Sequence, residues 1–290
     1  MKIATAAYPL DVLTSWAQYE DKIAAWVHRA DADLLVFPEY AAMELATLAG
    51  LDVAGDLEAS LHAVSERIPE ADAVHQTLAR ETGKHVLSGS APVILAPDRR
   101  PVNRARLHTP MGQIGIQDKQ IMTRFEAEVW DVVPGDPLQL FDTALGRIGI
   151  LICYDSEFPL LARALKDADI LLVPSVTEAI SGHTRVKIGA RARALENQCI
   201  TAMASVVGAA DWSEAVDFSV GAGGVYGPPD TGFPENGVLA QGGLNTPGWT
   251  VAEIDTAAVT RARRDGTVLN RRDWNAQIGR DALAPITTLR

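Results

Sequence analysis

Three apolar runs each deliver a reactive side chain at or just past their ends. VFPEY brings Glu39, GIQDKQ brings Lys119 and LICYDSEFP brings Cys153. Rigid strands fix the geometry of groups at their ends, so catalytic residues are common there. A free thiol with a pKa of ~8.5 is only a few per cent thiolate at neutral pH and needs activation to act as a nucleophile. Glu39 can take the thiol proton as a general base and return it to a departing amine. When Cys153 attacks a carbonyl carbon, the resulting oxyanion needs donors, and Lys119 with the backbone N–H of Tyr154 can supply them. Such a set suits cleavage of an amide through a thioester. Each residue alone also has a plain structural reading: Cys153 as a small buried hydrophobe, Glu39 as a strand end in solvent, Lys119 as one more surface lysine.

The elements that must position these groups are legible in the apolar spacing. KIATAA at 2–7 reads as a strand, and residues 12–30 carry apolar side chains three and four apart, as an amphipathic helix does. DLLVFPEY at 33–40 reads as a buried strand ended by Pro38, and 57–82 as helix interrupted at Pro69. HVLSGSAPVIL is a strand or a strand pair, and 103–119 adds two strands turning at Pro110–Gly112. A hairpin over 138–155, a short helix over 160–166 and a strand at 169–175 follow. Helix from 183 to 198 then leads into an apolar strand at 199–207. Gly and Pro mark 221–243 as loop, before a last strand at 249–255 and a basic helix. Strands alternating with helices, together with hairpins, predict an α/β (or α+β) fold with mixed sheets covered by helices. No linker or repeat divides the chain, which predicts one domain over 1–265 and a C-terminal tail over 266–290.

Composition narrows the function classes. The 290 residues, 47% of them apolar, are enough for a substantial core. A net charge of −11 disfavours nucleic acid and anionic membrane surfaces as partners. No run approaches the ~18 apolar residues of a membrane span, and the N-terminal stretch lacks the pattern of a secretory signal. Two cysteines, Cys153 and Cys199, make no disulfide framework, so a cytoplasmic, reducing location is expected. The histidines at 28, 62, 75, 85, 108 and 183 show no close pairing, and no metal or other cofactor is expected. Cys199 begins an apolar strand and reads as core. Arg185, Lys187, Arg191 and Arg193 read as a solvated basic face.

The order and spacing of four segments resemble the nitrilase superfamily, carbon–nitrogen hydrolases with a Glu–Lys–Cys site. The segments are LLVFPEY, DKQIMTRFE, RIGILICYDSEFP and RARALEN, and the likeness runs from residue 2 to about 255. The resemblance implies a four-layer α-β-β-α sandwich of two mixed sheets and catalytic roles for Glu39, Lys119 and Cys153. It also implies a supporting role for Glu126, orienting Lys119 or the substrate, although Glu128 stands two residues away. The tail, RRDGTVLNRRDW, resembles segments that relatives use in subunit contacts, so a homodimer or larger homo-oligomer is expected, with the tail at an interface.

Branch features point to amides. Nitrile-cleaving members usually continue Cys-Trp-Glu, whereas this chain continues Cys-Tyr-Asp, as in the amidase-like branches. Hydrolysis of a small non-peptide amide is therefore the leading expectation, with nitrile or N-carbamoyl hydrolysis as the alternative. An idle scaffold of the same fold is the alternative of a different class, against which the intact Glu39–Lys119–Cys153 set argues. Tyr40, Trp130, Glu157 and Phe158 are candidate pocket residues. Glu157 stands where the omega-amidase-like branch usually carries Arg, which argues against a dicarboxylate half-amide and favours neutral or amine-bearing amides. It equally suits the N-terminal cap of the helix starting near Phe158.

Overall fold

A computed structural model describes residues 1–280 and 283–289. Its sheet has two halves. In the first, β1 (Lys2–Tyr8) pairs with β2 (Leu34–Val36), and β3 (His85–Val93), β4 (Val102–His108) and β5 (Ile114–Asp118) follow outward. In the second, β6 (Leu140–Thr143) and β7 (Gly146–Ile150) form a hairpin, and β8 (Ile170–Ser175) and β9 (Ile200–Val206) lie beside β7. A small separate ribbon joins β10 (Gly208–Ala209) to β11 (Phe218–Ser219). β12 (Gly224–Tyr226) and β13 (Val238–Gln241) extend the second half beyond β9, and β14 (Gly248–Glu253) runs antiparallel to β1.

Strand direction decides where the reactive residues meet. β1 is parallel to β2 and β9, β2 to β3, β7 to β8 and β8 to β9. β4 is antiparallel to both β3 and β5, which turns β5 back into the common direction. The C-terminal ends of β2, β5, β7 and β8 therefore open on one side of the molecule. Ligand crevices form at such ends in open α/β sheets.

Alternation within the strands builds the layers. On β1 and β2, Ile3, Leu34 and Val36 face inward with Leu87, Ala105 and Leu107, against Ile148, Ile150, Leu172, Ile200 and Ala202 of the other half. Ala4, Ala6, Leu35 and Phe37 point the opposite way, into a core with α1 (Trp16–Arg29) and α3 (Leu57–Thr82). α2 (Leu51–Gly55) and a 3₁₀ stretch at Ala41–Ala49 close that layer. α4 (Arg124–Glu128) belongs to the site. α5 (Pro159–Ala164) and α6 (Ile180–Asn197) cover the outer face of the second half. The result is the expected four-layer arrangement. One detail differs from two separate sheets: Ala7 and Tyr8 pair with Ser205 and Val206, so a single hydrogen-bonded network joins both halves at the end where the crevice opens.

α3 corrects the expected break at Pro69, because it runs unbroken across it. Its buried positions Leu61, Val64, Ile68, Ala71 and Leu78 lie on both sides of the proline and pack on one sheet, which outweighs the lost backbone bond. The stretch 221–243 is not all loop, since it holds β12 and β13. Gly224 leaves room for the Tyr226 ring, whose hydroxyl would stand 2.1 Å from a Cβ there. The chain closes with α7 (Thr256–Asp265) and α8 (Asn270–Asp273), anchored where Arg263 reaches Asp169 at 2.9 Å and Arg271 reaches Asp167. Of the tail over 266–290, Asp281, Ala282 and Arg290 lie outside the described residues.

Candidate active site

Glu39 follows β2 by three residues, and its loop is pinned by the neighbouring strand. β3 bulges between Leu87 and Ser90, and Gly89 there adopts a φ of +83°. A Cβ at Gly89 would sit 2.1 Å from the Pro38 carbonyl, so only glycine permits this approach. Ser90 N–H then donates to Pro38 O at 3.2 Å, and Ser90 Oγ accepts from Tyr40 N–H at 3.0 Å. Tyr40 itself is left-handed, with a φ of 54°. Such a backbone costs about 1–3 kcal/mol for a residue with a Cβ, and these clamps sustain it.

Lys119 follows β5 directly and is buried, at 1% exposure. Its Nζ donates to Glu39 Oε1 at 2.8 Å and to Glu126 Oε2 at 2.6 Å. Asn103 on β4 bridges the two carboxylates, Nδ2 lying 2.9 Å from Glu39 Oε1 and 3.3 Å from Glu126 Oε1. The Tyr40 hydroxyl donates to Glu126 Oε1 at 2.9 Å. Glu126 is held from its own helix by a capping box, in which Thr123 and Glu126 satisfy each other's backbone N–H. Glu128, its neighbour in sequence, is turned out to solvent against Arg124 at 2.7 Å.

Cys153 opens a 3₁₀ turn after β7 and, like Tyr40, is left-handed, with a φ of 49°. Its Sγ donates to Val176 O at 3.6 Å, while Val176 N–H donates to Glu39 Oε2 at 3.1 Å. The first residue after β8 thus contacts both the thiol and the carboxylate. Two residues on, Asp155 accepts from Ile121 N–H at 2.8 Å and from Gln120 N–H, which ties the Cys153 turn to the segment just past Lys119. α6 presses on this turn from outside: a Cβ on Gly189 would stand 2.8 Å from Ser156 O, and Arg193 donates to the same oxygen at 3.0 Å. Arg193 is therefore buried, which corrects the solvated basic face. Arg191 bonds Asn236 O and Arg185 pairs with Glu157, so these three arginines serve different neighbours.

The charges form one linked set. Burial raises the Glu39 carboxyl, the Lys119 ammonium pulls it down and the Glu126 charge lifts it again, leaving it above the ordinary glutamate value. Burial also works against Glu126 ionisation, but Lys119 and Thr123 outweigh it and hold that carboxyl below its ordinary value. For Lys119, burial is overcome by the charges of Glu39 and Glu126, which keep the ammonium charged. Burial, and after it the Glu39 charge, push the Cys153 thiol well up. Lys119 thus holds its charge between the two carboxyls, and the thiol beside them resists ionisation. Asp155 is pushed up to about 7 by burial, against the pull of Lys119 and its two amide donors.

Cys153, Glu39 and Lys119 line a cavity of about 390 Å³. Tyr40, Trp130, Tyr154 and Glu157 line it as well, with Val216 and Phe218 from the ribbon side. Trp130 is fixed by Nε1–H donation to Leu57 O at 3.0 Å and by its ring lying 4.9 Å from that of Tyr40. Phe158 is not in the wall; its ring stands edge-on to Tyr154 at 4.8 Å, and it caps α5 through its backbone position. Glu157 does not cap that helix and instead lies 3.5 Å from Arg185. Among the described residues, no three His, Cys, Asp or Glu side chains gather as a metal site. The sequence marks neither Asn103, Asp155 nor Phe218 as a site residue, and it places Arg185 on a solvated face rather than in the cavity wall. Asp155 stands inside the ICYD motif, but nothing in the linear pattern marks Asn103. The T-x-x-E box at Thr123–Glu126 was a readable signal that separates Glu126 from Glu128.

No helix among the described residues is long and apolar enough to cross a membrane. The chain is 28% identical over 283 residues to a probable hydrolase, YhcX, of Bacillus subtilis, covering 96% of this chain and 54% of that one. It is 32% identical over 145 residues to a deaminated glutathione amidase of Yersinia enterocolitica, covering 45% of this chain and 50% of that one. The chain therefore spans about half the length of these curated relatives. In fold it is similar to a mutant of the Nesterenkonia AN1 amidase of the nitrilase superfamily, with a TM-score of 0.68, 22% identity and 98% of each chain covered. The carbon-nitrogen hydrolase family model matches residues 2–264, nearly the whole described chain, and the protein belongs to that family.

Proposed function

We propose that the chain hydrolyses the C–N bond of small non-peptide amides through a thioester on Cys153. The observation that carries this reading is the placing of the Cys153 thiol and the Glu39 carboxylate on the same residue, Val176, with Lys119 bonded to Glu39 and a cavity in front of all three. As Sγ attacks the carbonyl carbon, its proton passes to Glu39 and the carbonyl electron pair moves onto oxygen. An ammonium has three donors. Two of those on Lys119 are committed to Glu39 and Glu126, which leaves one for the oxyanion. Tyr154 N–H is the second candidate donor, because the opening N–H groups of a helical turn lack an intrahelical acceptor. Collapse of the adduct breaks the C–N bond, and Glu39 returns the proton to the leaving nitrogen. Water then attacks the thioester, giving its proton to Glu39, and the acid departs as Cys153 is reprotonated.

Glu126 acts in this scheme by holding Lys119. Its bond from the Tyr40 hydroxyl and its capping box leave it little freedom to reach the thiol itself. The cavity volume suits a compact substrate. The thiol chemistry calls for a reducing compartment, and the proposed assembly is a homo-oligomer. A panel of aliphatic, aromatic and amino-acid amides, N-carbamoyl compounds and nitriles, assayed by ammonia release with mass mapping of Cys153, tests the reading. Turnover of amides with an acyl adduct on Cys153 is expected. Turnover of nitriles or N-carbamoyl compounds alone would replace the amide reading, and turnover without modification of Cys153 would remove the thioester.

Glu157 is the proposed source of preference for neutral or amine-bearing amides. Its pairing with Arg185 is open enough to solvent to be weak. Glu157→Gln is expected to lower kcat/KM for amine-bearing amides relative to neutral ones by about two- to fivefold. An unchanged ratio would remove Glu157 from substrate contact.

A further inference from the structure

Asn103 touches the whole charged set without belonging to it. Its backbone carbonyl accepts from Lys119 N–H at 2.9 Å. Its side-chain amide donates to Glu39 at 2.9 Å and to Glu126 at 3.3 Å. The residue is completely buried on β4, and its Oδ1 has no hydrogen-bond partner among the described residues. Exchanging the amide oxygen and nitrogen would aim a carbonyl at two carboxylates. The orientation with the unpaired oxygen is therefore the one the carboxylates enforce. A buried polar atom left unpaired is a cost in stability, and an apolar side chain of the same shape would avoid it. Packing alone does not account for an asparagine here.

Resting on the acyl-enzyme reading above, we propose that Asn103 is a positioning residue: it aligns Glu39 for proton transfer from Cys153 and holds Glu39 and Glu126 side by side on one ammonium. Two carboxylates sharing a single Lys119 leave one negative charge unbalanced inside the protein. Like charges at that range oppose joint ionisation, and a neutral N–H directed between them offsets part of the repulsion. The groups facing Glu39 are Lys119 from the end of β5, Glu126 from α4, the Cys153 thiol after β7 and Val176 N–H after β8. Asp155, pushed up to about 7, adds a more distant negative charge once it ionises. Lys119 and Val176 N–H also donate to this carboxylate, so loss of Asn103 removes one of its N–H donors.

A donor to the charged form of a carboxyl favours that form, so its removal makes Glu39 harder to ionise. The experiment compares the wild-type chain with Asn103→Leu, a near-isosteric change without the donor. Iodoacetamide is the probe, and the rate of alkylation at Cys153 is followed against pH by mass mapping. In Asn103→Leu the acid limb is expected to move up by about one pH unit, so that on that limb the rate falls about tenfold. The melting temperature is expected to hold or rise, since the unpaired Oδ1 is gone. A limb at the wild-type pH overturns the proposal whatever the rate, because a purely packing role alters rates or stability without moving the titration. If Asn103→Leu does not fold, Asn103→Ala removes the amide donor without adding a charge, and the position of its acid limb is read in the same way. The amide panel on the wild type separates the two claims: no turnover and no alkylation of Cys153 defeats the acyl-enzyme reading and this one together. A working wild type with an unmoved limb in the variant defeats only the role of Asn103.

Discussion

Cys153→Ala is expected to reduce amide turnover by on the order of 10⁴-fold or more while leaving the fold intact. Without Sγ no thioester can form, and neither Glu39 nor Lys119 can substitute for the missing bond. The structural loss is small, because the backbone of the turn is held by Asp155, Ser156, Gly189 and Arg193 rather than by the thiol. The unfolding midpoint should stay near that of the wild type, and mass spectrometry after incubation with an amide should find no adduct. Cys199→Ala supplies the contrast. That thiol is buried in the core beneath α5 and raised to about 12 by burial, so it is inert, and turnover should stay at the wild-type level. Comparable turnover by wild type and Cys153→Ala would sink the mechanism outright.

Lys119→Met is expected to affect stability and turnover together. Removing one partner from a buried ion pair leaves an uncompensated charge and costs about 3–5 kcal/mol. Here a single ammonium serves two carboxylates. Loss of a positioned oxyanion donor lowers kcat by a further ~10²–10³-fold. The pH dependence has a definite sign. In the wild type, Glu126 lies below its ordinary value, so it contributes stability above about pH 4.3 and loses it as the pH falls through the folded value. In Lys119→Met the ammonium that lowered Glu39 and Glu126 is gone, and burial drives both carboxyls up. Their ionisation then costs stability at neutral and higher pH, and that cost disappears as they protonate. Denaturation at pH 8 and pH 5 should show a large deficit in the variant at the higher pH and a smaller one at the lower. A deficit independent of pH would mean that Lys119 contributes only by packing.

Much of the candidate site was readable in the sequence because its positions follow strand ends. Glu39, Lys119 and Cys153 each come where a short run stops, and strands of three to five residues leave little doubt about where they stop. Glu126 came from the family resemblance, but a local signal also separates it from Glu128. Its capping partner Thr123 is three residues away, a local relation that needs no tertiary contact. Local rules failed where a distant partner overrode them. Pro69 does not break α3, because the sheet packed along both halves of that helix holds it straight. Arg193 does not face solvent, because Gly189 lets α6 approach the Cys153 turn closely enough for the guanidinium to reach Ser156 O. Phe158 follows the motif directly yet stays out of the cavity wall, because it turns against the Tyr154 ring while Glu157 takes the wall position.

The sequence by itself determined the family and the layered fold class and put forward the three candidate groups, because these depend on residue types, periodicity and order along the chain. Only the tertiary structure decided how the groups are charged and aimed. Burial is a property of the assembled layers, and burial raises Glu39 and Cys153 while the shared ammonium keeps both carboxylates in place. Asn103, 64 residues from Glu39 and 23 from Glu126, enters the site only because β4 turns β5 back beside it. Charges and donors separated this widely in sequence act on one another only once the sheet brings their strand ends together.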